Sequence, residues 1–122
     1  MTQSSNRQLE KHVQARVLVA LGAQPDFVVW RNNTGALHAL GAAGRVRPMR
    51  FGLAVGSADL VGVLRPSGRF VAIEVKTSTG RLRPAQAQWS RLVQSMGGFY
   101  AVVRSADDAI AALARARAGE VG

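Results

Sequence analysis

The sequence predicts a single α/β domain spanning residues 1–122 and built on a mixed sheet, and three observations carry that expectation. Apolar residues recur at helical spacing in three separate stretches. Short β-branched and aromatic runs lie between those stretches. Two neighbouring runs, "ADLVGVL" and "RFVAIEVK", are joined by the turn signal "RPSG". The resulting order is helix, strand, hairpin, helix, strand, helix. A chain of 122 residues can bury roughly two thirds of the surface its unfolded form exposes, enough for one core.

Each element has a local reason. Ser5 followed by Gln8 suits a capping box, and Leu9, Val13, Val17, Ala20 and Leu21 then share one face, so a helix is expected over about residues 6–21. "DFVVWRN" is the first strand. Residues 33–56 hold five glycines and Pro48 with only a weak alternation from Val46 to Phe51, which reads as a long loop or an edge hairpin. Pro84 opens a helix whose apolar face is Ala85, Trp89, Leu92, Val93 and Met96, and Gly97-Gly98 stops it. "FYAVVRS" is the last strand. A final helix runs from Asp107 to Ala118, capped by Ser105 or Asp107. The unit from Phe70 to Arg104 is strand, helix, strand, so its strands should be parallel. Trp30 and Trp89 read as core residues.

Composition narrows the chemistry. The chain carries 16 basic against 7 acidic residues, a formal charge of +9, and all but two of the basic residues are arginine. That balance favours polyanionic partners. Arg45, Arg47 and Arg50 precede the central strands and Arg81 and Arg83 follow them, either as a nucleic-acid surface or as two solvated loops. There is no cysteine, and His12 and His38 lack metal-ligand spacing, so any metal should be a hard ion on oxygen ligands. No signal peptide or membrane-length apolar run is evident, so a cytoplasmic protein of a bacterial or phage-infected cell is expected.

The hairpin poses the chemical question. A turn centred on Pro66 and Ser67 pairs residues whose numbers sum to 133, which sets Asp59 opposite Glu74. Alternation then puts Asp59, Val61, Val63, Phe70, Ala72, Glu74 and Lys76 on one face, and Leu60, Leu64, Val71, Ile73 and Val75 on the other. Opposed like charges destabilise a sheet. Three arrangements would relieve them: a divalent cation, a shared proton, or an ion pair with Lys76 and nearby arginines. Lys76 is one of only two lysines in the chain, which suits a point-charge amine beside a Mg²⁺ site with the Val75 carbonyl as a further ligand.

Asp59 followed by Glu74-Val75-Lys76 resembles the PD-(D/E)xK nuclease signature, with Ala58 where that pattern often has proline. Together with "WRNNTG", "GSADLVG", "GRFVAIEVKTSTGRLRPAQAQW" and "GGFYAVVRS", it is similar to the stand-alone form of the virus-type replication-repair nuclease (VRR-NUC) branch. The resemblance implies a restriction-endonuclease-like core, Mg²⁺ or Mn²⁺ dependence, and cleavage of branched DNA such as four-way junctions by a homodimer. It implies a catalytic role for Gln86 and an auxiliary acid at Glu10. The alternative for Glu10 is an exposed acid near a helix N-terminus; for Gln86 it is helix capping, although Arg83 cannot complete a reciprocal box. Asn33, Thr34 and Gly35 either touch DNA backbone or form a plain turn. A DNA-binding module that does not cut is the competing function, and the intact acid, acid and lysine set argues against it.

Overall fold

The hairpin signalled by "RPSG" forms the middle of the sheet. In the computed structural model, which describes residues 3–40 and 44–122, α1 (Gln3–Gly22) leads into β1 (Phe27–Arg31) and then a small hairpin of β2 (Gly35–Leu40) and β3 (Val46–Phe51). The central hairpin of β4 (Leu60–Leu64) and β5 (Arg69–Val75) follows, then α2 (Pro84–Ser95), β6 (Phe99–Val103) and α3 (Ala106–Arg117). The main sheet has the order β1-β4-β5-β6, with β2 and β3 as a separate two-stranded sheet. β1, β4 and β5 are antiparallel neighbours, and β5 and β6 are parallel across the α2 connection, as a strand-helix-strand unit requires. Met1 and Thr2 of the expected 1–122 domain, and residues 41–43 of the expected 33–56 segment, lie outside the described residues.

The register across the central hairpin is the expected one: Leu60 pairs Ile73, Gly62 pairs Val71 and Leu64 pairs Arg69. Alternation therefore divides the sheet into two faces. One face buries Leu60, Leu64, Val71, Ile73 and Val75 against Val17 and Leu21 of α1 and Ala109, Ala112 and Leu113 of α3. The other carries Ala72 and Tyr100, with Val61 and Phe70 packed beside them, against Val93 and Trp89 of α2. Each large apolar side chain so buried contributes roughly 1.5–3 kcal/mol. Gly62 is needed at the crossing with β1: a Cβ there would stand 2.3 Å from the Val28 carbonyl and 2.5 Å from the Phe27 ring.

Three expectations need correction. The first helix begins at Gln3, so Ser5 lies within it and does not cap it; once the Leu9 to Leu21 face has nucleated a helix, adding a turn at the end costs little. Within the segment 33–56, β2 and β3 pair as the expected hairpin and not as a loop, but they form a sheet of their own and not an edge of the main one, and every residue of β3 is exposed. Trp30 is not core: it is 53% exposed, because β1 is an edge strand and α2 covers the sheet further in. Trp89 is, packing edge-on between Phe70 and Tyr100. At the last helix, Ser105 is the cap, its hydroxyl accepting from the Asp108 N–H at 3.0 Å. Among the described residues no helix is long and apolar enough to cross a membrane.

Arg69 closes the end of the sheet away from Glu74. Its guanidinium donates to the carbonyls of Gly97 (3.1 Å), Ala116 (2.7 Å) and Glu120. Gly97 follows α2, and Ala116 lies in the last turn of α3, where carbonyls have no intrahelical partner. One side chain thus binds carbonyls at the C-terminal ends of two helices on opposite faces. Arg69→Ala should lower stability by about 3 kcal/mol, given roughly 1.5–3 kcal/mol for a charged hydrogen bond and partial replacement by water. Urea unfolding checks this, with an unchanged m-value expected.

Candidate active site

Asp59 precedes β4 and Glu74 is the penultimate residue of β5, so the register that pairs Leu60 with Ile73 brings both acids to one end of the hairpin. Glu74 is 2% exposed, in the same layer as Ala72 and Tyr100. Its Oε1 accepts from the Asp59 N–H at 3.1 Å, and its Oε2 accepts from the Gln86 amide at 2.7 Å. The Lys76 ammonium lies 3.5 Å from the same Oε2. Asp59 Oδ2 accepts from the Val75 N–H at 2.9 Å. The two strands therefore exchange side-chain to backbone bonds at the point where their carboxylates converge.

The loop that delivers Asp59 is fastened by Asn32, at the end of β1. Its amide nitrogen donates to the Ser57 hydroxyl and to the Ala58 carbonyl, both at 2.8 Å, and its Oδ1 accepts from the Leu53 N–H at 3.3 Å. Its own N–H donates to the Asp59 carbonyl at 2.8 Å. Ala58, fully buried, seats the loop against the α2 layer. Gly56 keeps α2 close, since a Cβ there would stand 2.4 Å from the Ala85 carbonyl.

Gln86 performs two tasks at once. Its Oε1 accepts from the Arg83 N–H at 2.8 Å, the half of a capping box that a glutamine can supply, while its amide nitrogen reaches Glu74. Arg83 has no acceptor with which to return the bond. On the other flank, Arg104 donates to the carbonyls of Thr77 and Gly80, closing a turn in which Gly80 packs beside the Lys76 stem. The Lys76 N–H donates to Val103 at 3.0 Å. Lys76 itself is only 9% exposed.

Electrostatics at this point are unfavourable to the charged acid. Burial pushes the Glu74 carboxyl up to about 8, the Asp59 charge pushes the same way, and Lys76 offsets only part of it. Of the three arrangements that could relieve the opposed acids, the ion pair with Lys76 is present, but it does not outweigh desolvation. Burial, with the charges of Glu74 and Asp59, also raises the Tyr100 phenol, whose buried hydroxyl has no hydrogen-bond partner among the described residues. Two converging carboxylates without sulfur or imidazole fit a hard divalent ion.

The other expected residues divide. Glu10 lines a pocket of about 190 Å³ with Asp59, Arg7, Lys11 and Gln14. Among the described residues, however, no three acids or histidines are gathered closely enough to hold one ion. Arg50 and Arg83 meet, with Thr34 and Gly35, around a second pocket of about 170 Å³. Arg47 and Arg50 sit on opposite faces of β3 by alternation. Arg45, Arg81 and Asn33 are exposed. The Val75 side chain packs into the α1 and α3 layer while its N–H serves Asp59. Asn32, Arg104 and Lys11 were not singled out from the sequence; of these only Lys11, the second lysine of an arginine-rich chain, left a signal there.

The family model described as "VRR-NUC domain" matches residues 36–107. A solved structure described as "VRR_NUC domain" is similar at 22% identity, covering 89% of this chain and 94% of that chain with a TM-score of 0.49. A comparison with curated proteins finds no match.

The raised Glu74 carboxyl makes a signed prediction for the metal-free protein. The folded state holds a proton on Glu74 up to about 8, whereas an unperturbed acid releases it near 4.5. Between those values the folded state binds more protons, so this group's contribution to stability falls as pH rises. The contribution is fully present below the lower value and lost through the upper one. Thermal melts in EDTA should show a loss of a few kcal/mol across that window relative to Glu74→Gln, whose amide keeps its hydrogens at every pH. Equal slopes for the two proteins would contradict the buried, destabilised carboxylate.

Proposed function

The chain belongs to the VRR-NUC family of nuclease domains, and from that premise we propose that it is a Mg²⁺- or Mn²⁺-dependent endonuclease that hydrolyses phosphodiester bonds in branched DNA such as four-way junctions. The observation that carries the reading is the convergence of Asp59 and Glu74 at one end of the hairpin, with Lys76 3.5 Å from Glu74 and Gln86 bonded to it. A buried, opposed carboxylate pair is unfavourable by itself and becomes favourable with a cation between the acids.

In this reading Asp59 and Glu74 hold the divalent ion, with the Val75 carbonyl as a further ligand. When bound, the ion supplies Lewis acidity toward a phosphate oxygen. Lys76 is the catalytic amine, holding the attacking water and offsetting negative charge that develops on the phosphate. The water oxygen bonds to phosphorus and gives one proton to solvent, the bond from phosphorus to the leaving sugar oxygen breaks, and that oxygen takes up a proton from solvent. Gln86 fixes the rotamer of Glu74. Glu10, across the pocket from Asp59, serves a water more readily than the ion, because the three acids do not gather around one point.

Arg50 and Arg83 form the near part of the DNA surface, and Arg45, Arg47, Arg81 and Asn33 extend it. One chain supplies one carboxylate pair and so cuts one strand. Symmetric resolution of a junction therefore calls for a C₂ homodimer.

Asp59→Asn, Glu74→Gln and Lys76→Ala should each reduce cutting by about a hundredfold or more, while DNA affinity measured in Ca²⁺ stays within a few-fold. Labelled linear, flap, fork and four-way DNAs, incubated with Mg²⁺, Mn²⁺ or EDTA, supply the assay. Wild-type rates in any of the three variants, or undiminished cutting in EDTA, would overturn the reading.

A further inference from the structure

The polar stripe of α1 has a feature that the carboxylate pair does not use. Arg7, Lys11 and Gln14 stand at i, i+4 and i+7, one above another on the helix, with Glu10 beside them. All four side chains line the pocket of about 190 Å³ that Asp59 completes. The chain's two lysines thus both lie at the acid pair, Lys76 beside Glu74 and Lys11 beside Asp59. The ion pairs among the described residues are Glu74 with Lys76 and Asp26 with Arg117. Neither Arg7 nor Lys11 is engaged in one. Lys11 is exposed, and its ammonium is accessible to a ligand entering the pocket.

Helix energetics do not explain this placement. Arg7 and Lys11 are like charges at i and i+4, a spacing at which they repel. A local preference broken beside a reactive pair points to a ligand. The ligand's charge follows from the neighbours. A phosphodiester led along this pocket passes the carboxyl groups of Asp59 and Glu10, and cations at the rim offset their repulsion. An arginine fork, an ammonium and an amide, all donors, match phosphate oxygens.

We propose that Arg7, Lys11 and Gln14 form a phosphate-binding subsite that takes the DNA backbone phosphate next to the bond held at Asp59 and Glu74. The inference rests on the nuclease reading for the position of the cut. It directs the strand along the N-terminal half of α1 as well as past Arg50 and Arg83.

The test uses the full chain and DNA in which successive single phosphates are replaced by uncharged methylphosphonates, with binding read in Ca²⁺ and cutting in Mg²⁺ or Mn²⁺. At one phosphate within about two nucleotides of the cut, wild type should lose about tenfold in affinity. Lys11→Ala should lose a similar factor on unmodified DNA, be indifferent to that replacement, and show a salt slope smaller by about one unit. Lys11→Arg should restore most of the affinity, and melting temperatures, with Lys11→Gln as a second truncation, should match wild type. Cutting by wild type with no phosphate coupled to Lys11 would overturn the subsite and leave the nuclease reading in place. A coupled phosphate on DNA that is never cut would support the subsite and overturn the nuclease reading. Failure of the wild type to bind DNA would overturn both.

Discussion

Glu74 is a carboxylate placed where a carboxylate is costly, and much of the surrounding structure is arranged to keep it there. A fully buried strand position next to a second acid would ordinarily be filled by valine or isoleucine, as positions 71, 73 and 75 of the same strand are. Instead the Asp59 N–H, the Gln86 amide and the Lys76 ammonium all point at its oxygens. These contacts orient the acid without making its charge comfortable, since burial still raises its carboxyl to about 8. Orientation without full neutralisation is the property expected of a ligand held ready for a cation.

That constraint explains features which would otherwise be unrelated. The antiparallel register must bring Asp59 level with Glu74. Asn32 must hold the preceding loop, because Asp59 lies just outside the strand, and Asn32 fixes it through the Ala58 carbonyl and the Asp59 carbonyl. The helix after β5 must begin with Gln86 in its first turn and over the sheet, which Pro84 and the close approach at Gly56 allow. The turn at 77–80 must fold back over the Lys76 stem, and Arg104 ties it down. Each device comes from a different element, so the site is a product of the whole α/β arrangement and of no single motif.

Much of this was legible in the sequence where the determinants are local. The turn in "RPSG" and strict alternation were enough to give the register, the two faces and the opposition of Asp59 and Glu74, because a hairpin's pairing follows from its turn. What was not legible depends on contacts between distant positions. Asn32 bonds Ser57 across 25 residues, and nothing in "RNN" separates it from Asn33, which is exposed. Gln86 looked like a choice between cap and site, whereas an amide has two ends and serves both. Trp30 had a buried residue's chemistry but stands on an edge strand, a fact of topology. The exposed strand β3 left only a weak alternation because no core imposes one.

The account turns on one claim, that Asp59 and Glu74 form a strained pair which a divalent ion relieves. Calorimetric titration of Mn²⁺ into the metal-free protein, repeated in buffers of different ionisation enthalpy, counts the protons displaced per ion. With the Glu74 carboxyl near 8, close to one proton should leave per ion at about pH 6.5, falling toward none above about pH 9, and the release should vanish in Glu74→Gln. Mn²⁺ binding that displaces no proton at any of these pH values, or that persists unchanged when Asp59 and Glu74 are both replaced, would contradict it.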